Sequence, residues 1–358
     1  MHHSDICIAG AGIMGLSLAL ELHRLGHRVA VFDQGMPLSE ASTAAAGMLA
    51  ASDPDNPARL RPLADLSLSL YPAFLDRLHD LSGIRVPFHT SATLQSHPST
   101  PANVLSAEAL ADILPQLSPG NNLFTLLDEH SLDPRNLAAV LLASVQATSI
   151  ELLPHTRVLS ASSIEDAVEI QTTAGIFHSA KFVNCTGAWA THSSLAPHLA
   201  ITPRKGQMLA VALPPSLPLS IVIRTHAMYI VPRTTGPNAG RAIIGATIED
   251  AGFDKVVHSS DIARLRAMAD ALLPALSGAP QLDAWAGVRP STPDGLPFLG
   301  SLPGKPNQFI AAGHYRNGIL LAPATAHVMA QLLSRQIPVI DLSDYSPERP
   351  LPVSQIAQ

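Results

Sequence analysis

Residues Gly10-Ala11-Gly12-Ile13-Met14-Gly15 carry GxGxxG spacing between the apolar run Ile6-Cys7-Ile8-Ala9 and a segment whose Met14, Leu18, Leu22 and Leu25 recur at helical spacing. Glycines so placed let a backbone turn tightly and approach a pyrophosphate, whose charge meets the free N–H groups and positive dipole end of the following helix. Asp33 stands eighteen residues beyond Gly15, at the end of the next apolar run, 28–33. A carboxylate there accepts both hydroxyls of an adenosine ribose and repels a 2′-phosphate, which disfavours NADP. Taken alone, the hexapeptide also suits a glycine-rich packing turn, and it does not choose between FAD and NAD.

Three further segments bear on that choice. Ser42-Thr43-Ala44-Ala45-Ala46-Gly47-Met48 follows the second apolar run closely. Its small residues let backbone pass against a ring system or phosphate, and Ser42 and Thr43 offer hydroxyls; an Ala-rich helix start is the plain alternative. Late in the chain come Gly287-Val288-Arg289-Pro290-Ser291-Thr292-Pro293-Asp294-Gly295-Leu296-Pro297 and Gly313-His314-Tyr315-Arg316-Asn317-Gly318-Ile319-Leu320. The second follows an apolar run and opens a helix, so it aims another helix N-terminus at a ligand.

These residues need elements to hold them. Strand 6–9, a helix ending near Gly26 and strand 28–33 form a β-α-β unit, which implies parallel strands and a right-handed crossover. The spacing predicts a helix over 60–81, with Pro62 and Pro72 as boundary or kink, and a helix capped by Asp133-Pro134. Runs 182–185 and 307–312 read as buried strands, and a helix is expected over 318–335. Runs 207–213, 228–232 and 242–247 read as a different, more antiparallel region. The Pro/Ser-rich stretch 341–358 is expected to run extended over the surface. The fold class is therefore α/β: a discontinuous Rossmann-like nucleotide-binding domain (1–82, 130–200 and 281–358) with an inserted, mainly antiparallel substrate domain (83–129 and 201–280).

Composition bounds the function. The 358 residues suit about two domains, and 47% hydrophobic residues allow a sizeable core. A net charge of −6 leaves no basic surplus for nucleic acid or an anionic membrane surface. Two cysteines, Cys7 and Cys185, make no disulfide framework and suggest a reducing compartment. No signal peptide or transmembrane run is read, so a cytoplasmic location is expected. The 16 histidines show no metal-ligand spacing and no metal site is expected.

Taken together, the ordered motifs resemble the D-amino-acid oxidase/glycine oxidase/sarcosine oxidase family of FAD enzymes, and within it the glycine oxidase branch of the thiamine-biosynthesis type. The resemblance spans nearly the whole chain. It implies non-covalent FAD, since no cysteine follows Cys185 where some sarcosine oxidases attach flavin. It implies that Gly10, Gly12, Ile13, Met14 and Gly15 hold the pyrophosphate, that Asp33 and Gln34 meet the ribose end, and that the backbone of Val158 holds the adenine. Ser42, Thr43, Ala46, Gly47 and Met48 would line the ribityl chain and flavin. His314, Tyr315, Arg316, Asn317, Gly318, Ile319 and Leu320 would wrap the pyrimidine end, where a helix N-terminus stabilises negative charge near N1 of reduced flavin.

Amine oxidation by flavin needs the substrate Cα–H aimed at N5 and a neutral amine; the cofactor carries the hard chemistry. The protein's part is a carboxylate clamp, and a guanidinium fork grips a carboxylate bidentately. The resemblance puts Arg289 there, with Tyr229 donating its hydroxyl to the same carboxylate, Arg316 adding charge, and Met48 counted with them at the flavin. Each has a plain structural alternative: an ion pair for Arg289, a core position for Tyr229, a solvent-facing one for Arg316. Arg233 is read as bracing its strand. Two departures from the family, Ala227 (with His226 one place earlier) and Ile248, alter the amine side and the pocket size but not the clamp. With aromatics at 4%, an aromatic cage for a methylated amine is disfavoured, which favours glycine or a small D-amino acid over sarcosine. The expected partners are a small amino acid and O2, with H2O2 as product, and a homo-oligomer is left open. A dehydrogenase serving a quinone or partner protein, and a flavin-binding subunit of a larger complex, are the alternatives. In the thiamine-biosynthesis type the useful product would be iminoglycine.

Overall fold

The computed structural model describes residues 3–97, 101, 103–192 and 194–352. The first sheet has eight strands. At its centre His3–Ala9 pairs in parallel with Val29–Phe32 on one side and Gly175–Asn184 on the other, and Gly175–Asn184 pairs in parallel with Lys305–Ala312. Helix Ile13–Arg24 is the crossover between the first two strands, as the β-α-β reading expects. It packs on one face of the sheet with Arg61–Ser82, Pro134–Gln146 and Gly318–Leu333, whose Leu18, Leu63, Leu141 and Met329 meet in one core. Each large apolar side chain fully buried there contributes about 1.5–3 kcal/mol. Pro72 lies inside Arg61–Ser82, which continues through it. The Asp133 carboxylate accepts from the Arg135 N–H at 2.9 Å, capping the helix that opens with Pro134.

The second sheet has seven strands, in the order Gln281–Ser291, Thr202–Ala212, Arg241–Gly245, Tyr229–Arg233, Val222–Arg224, Thr93–His97, Leu123–Leu127. Every pairing is antiparallel except Val222–Arg224 with Thr93–His97. Alternation sorts its faces. Leu209, Ile230 and Ile244 pack against Ile262, Leu265 and Ala269 of helix Ser259–Leu272. Ala210, Val231 and Ile243 face the other way, toward Ala46 and Met48 of the first sheet's loops.

Two expectations differ from the structure. The break placed at 281 is not where the sheets divide, because Gln281–Ser291 hydrogen-bonds along Thr202–Ala212 and so carries Arg289 on the second sheet. The tail is not simply extended. Residues Ser343–Tyr345 form a 3-10 turn, Tyr345 is buried with its hydroxyl donating to the Arg59 carbonyl, and Arg349 pairs with Asp294 at 2.7 Å while lying over the Phe298 ring. Residues 353–358 lie outside the described ones. No helix of the described residues is long and apolar enough to cross a membrane.

Candidate functional site

Between the sheets lies a cavity of about 720 Å³. One end is built by the glycine turn. The Asp33 carboxylate accepts from the Ala11 N–H at 2.7 Å and the Gly35 N–H at 2.9 Å, and the Ser42 hydroxyl accepts from the Ile13 N–H at 3.0 Å. Gly10 stands at φ +100°, where a Cβ would lie 2.5 Å from the Cys185 carbonyl oxygen. The helix that starts at Ile13 has no cap from its own N-cap residue Gly12 and no acidic residue in its first turn, so apart from the Ser42 contact at Ile13 its positive end is left toward the cavity. Gln34 and Val158 line the same end.

The loop 42–48 crosses the middle. Ala46, Gly47 and Met48 line it, and two partners pull its backbone from behind: the Arg233 guanidinium donates to the Ala46 carbonyl at 2.8 Å, and the Trp285 indole N–H donates to the Ala44 carbonyl at 3.0 Å. Arg233 is buried and its pKa falls to about 10, chiefly through burial, with Asp133 acting the other way. Met48 offers only a thioether, so it shapes a wall and moves no proton.

His314 to Ile319 also line the cavity, with Gly318 near Met14 of the glycine turn, and helix Gly318–Leu333 opens there without a side-chain cap or first-turn acid. His314 is buried against the Thr325 hydroxyl at 3.1 Å, and burial drives its pKa down to about 3, so the ring is neutral. Arg316 is not a free cation. It pairs with Asp53 at 2.6 Å and Asp55 at 3.2 Å, and Asp53 also faces the buried Arg224 at 3.7 Å.

Tyr229 and Arg289 line the same cavity from the second sheet, and the Tyr315 N–H of that loop donates to the Pro290 carbonyl at 2.9 Å. The Tyr229 hydroxyl is in hydrogen-bonding reach of Arg289, and burial raises the phenol's pKa although Arg289 and Arg316 draw it down. The phenol is therefore a donor. The Arg289 guanidinium donates to the Thr247 carbonyl at 3.1 Å and the Lys205 carbonyl at 3.5 Å, and among the described residues no acid closes an ion pair with it. Two glycines make the room. A Cβ on Gly206 would lie 2.2 Å from Arg289 Nη2, and one on Gly245 would lie 2.7 Å from the Tyr229 hydroxyl.

Three sequence-assigned residues do not line the cavity. Gly15 faces the strand, where a Cβ would lie 1.9 Å from the Gly10 carbonyl oxygen, so it permits helix–strand contact. Thr43 turns its hydroxyl to the Leu38 carbonyl at 2.9 Å. Leu320 is fully buried in the helix core. Sequence reasoning missed Gly206, Gly245, Asp53 and Arg224. Arg224 sits directly across the strand pair from Tyr229, on the same face, and an arginine closing the apolar run 221–224 was the available signal.

The lining fits a dinucleotide and a small acid: the Asp33 carboxylate, close-approach glycines, two helix N-termini without first-turn acids, and a guanidinium with no acid partner among the described residues. Asp33→Ala removes a carboxylate that lines the cavity and leaves the Ala11 and Gly35 amides unpaired. At about 1.5–3 kcal/mol for a charged hydrogen bond, we expect FAD retention to weaken roughly 10- to 100-fold with little change in KM. Equal FAD occupancy after gel filtration of the two proteins would count against it. Gly206→Ala pushes the movable end of Arg289 aside rather than deleting it. We expect KM to rise about tenfold with FAD retained; an unchanged KM would show that the guanidinium is not held over Gly206.

The family described as FAD dependent oxidoreductase (DAO) matches residues 5–332. Glycine oxidase of Geobacillus kaustophilus is 31% identical over 96% of this chain and 97% of its own length. Glycine oxidase of Pseudomonas aeruginosa is 33% identical over 96% and 98%. The bifunctional protein ThiO/ThiG of Trichormus variabilis is 35% identical over 93% of this chain, which spans 53% of that protein. The crystal structure of glycine oxidase from Geobacillus kaustophilus superposes with a TM-score of 0.90, covering 98% of this chain and all of that one, at 31% identity.

Proposed function

The chain belongs to the FAD-dependent oxidoreductase (DAO) family and is an FAD-dependent amino-acid oxidoreductase of the glycine oxidase type, and from that premise we propose that it oxidatively deaminates a small amino acid: glycine, sarcosine or a small D-amino acid. In the proposed reaction the amino acid is oxidised to its imine, which water hydrolyses to an oxo acid and ammonia or an amine, while O2 is reduced to H2O2. Bound FAD would supply the hydride acceptor and the route by which the electrons reach O2.

The protein's own contribution is placement. In the proposed arrangement Asp33, Gln34 and the glycine turn hold the ribose and pyrophosphate, Val158 meets the adenine, and residues 46–48 and 314–319 enclose the flavin. Arg289 grips the substrate carboxylate bidentately and Tyr229 donates a third hydrogen bond to it. Fixing the acid end leaves the Cα–H only rotation about the Cα–carboxyl bond, and most of the rate gain is orientation. Neither Tyr229, whose phenol burial keeps protonated, nor His314, which burial makes a very weak base, is suited to take a proton from the substrate ammonium. Arg316, its charge shared with Asp53 and Asp55, shapes the wall.

The observation that carries this reading is the unpaired Arg289 beside the Tyr229 phenol, in one cavity with the glycine turn. A peroxide assay of the purified chain over glycine, sarcosine, D-alanine and D-proline tests it. Peroxide from at least one, strongest with glycine or D-alanine, is expected. Reduction of a quinone dye without peroxide would replace the oxidase with the dehydrogenase.

A further inference from the structure

Arg289 lies on one face of strand Gln281–Ser291, directly across from Arg204, and therefore over Gly206 two residues on. Lys205 points to the opposite face. Its side chain is fully buried, with Nζ 3.1 Å from Asp254 and 3.5 Å from Glu249, two carboxylates on the segment that follows Gly245. That segment is fastened to Lys205 twice more, by Lys205 N–H to the Glu249 carbonyl and Glu249 N–H to the Lys205 carbonyl, both 3.0 Å. Glu249 then accepts from the Thr247 hydroxyl and from the Gln207 side chain, while the Gln207 N–H donates to the Thr247 hydroxyl at 2.8 Å. Thr247 is thus fixed at its side chain and at its own N–H, which donates to the Gln207 carbonyl. Its remaining polar group, the carbonyl, holds Arg289 Nη1 at 3.1 Å.

A buried ammonium facing two carboxylates costs desolvation, and replacing such pairs with apolar groups is often neutral for stability. Stability alone therefore does not account for placing this charge under the clamp. A guanidinium with four free rotors binds a carboxylate well only when something else has set its direction. The Thr247 carbonyl does this, and its position depends on Glu249 and, through Glu249, on Lys205.

We propose that Lys205 is a positioning residue for the clamp: its ammonium holds the 247–254 segment so that the Thr247 carbonyl aims the Arg289 guanidinium at the substrate carboxylate. This rests on the reading of Arg289 as the clamp. The test uses the FAD-loaded protein and acetate as probe, with binding read from perturbation of the flavin absorption spectrum. Lys205→Met keeps the stem and removes the charge. The expected results are an acetate Kd and an amino-acid KM each raised about tenfold, kcat within about twofold, and FAD content unchanged. Adding Lys205→Met to Arg289→Ala should change acetate binding no further, because its effect passes through Arg289. Should Lys205→Met fail to fold, Glu249→Gln, which weakens the partly exposed partner, is expected to raise both constants about threefold. An unchanged acetate Kd in the soluble single variant, or equal weakening with and without Arg289, overturns the proposal. If Arg289→Ala itself leaves acetate binding intact, the clamp reading fails instead, so the two failures are distinct.

Discussion

Arg289→Ala is expected to lower kcat/KM by two to three powers of ten while the protein keeps its FAD. The loss corresponds to about 3–4 kcal/mol, the scale of a charge-assisted, bidentate contact in a site shielded from water. Most of it should appear in KM, since the guanidinium holds the carboxylate in ground and transition states alike; a part falls on kcat because a loosened acid end lets the Cα–H swing. No acid of the described residues would be left uncompensated, so folding should not suffer. Steady-state kinetics with FAD content measured alongside check this. An unchanged kcat/KM at full occupancy would remove Arg289 from the site.

Gly47→Ala should act on the cofactor instead. Gly47 stands at φ +86°, where an L residue costs about 1–2 kcal/mol, and its Cβ would lie 2.0 Å from the Leu132 carbonyl oxygen. That oxygen belongs to backbone, and the Leu132 N–H already donates to the Gly47 carbonyl at 2.9 Å, so neither side yields easily. The loop carrying Ala46 and Met48 must move into the cavity or away from it. We expect FAD affinity to fall about 100-fold and Tm by roughly 5–10 °C, consistent with about 3–4 kcal/mol of strain and overlap. Stoichiometric FAD and an unshifted Tm would show that the loop does not depend on that turn.

Local pattern carried the nucleotide end of the molecule. A strand, three spaced glycines, a helix and Asp33 lie within one short stretch, and each has a backbone reason to be where it is. The loop before Gly318 was legible for the same reason, as a turn opening a helix. What pattern could not supply was long-range partnership. Arg316 reads as a free cation until Asp53 and Asp55, more than 250 residues earlier, are seen beside it. Gly206 looks like any strand glycine until Arg289 is laid across it, and Gly15 belongs to the motif yet serves the helix–strand contact rather than the cavity wall. The break at 281 was misplaced because a strand of the second sheet runs straight into motifs that serve the first. The Asp294 carboxylate of the late motif holds Arg349 and the tail, and burial is outweighed there by the guanidinium, which keeps its pKa below the ordinary carboxylate range.

The most direct measurement is anaerobic mixing of the purified yellow protein with excess glycine or D-alanine while the flavin absorbance is followed. The account predicts bleaching of the oxidised flavin band, its return on admitting air, and bleaching slowed by at least a hundredfold in Arg289→Ala at subsaturating substrate. A band that persists with every small amino acid offered, in a protein that holds its full complement of FAD, would contradict it.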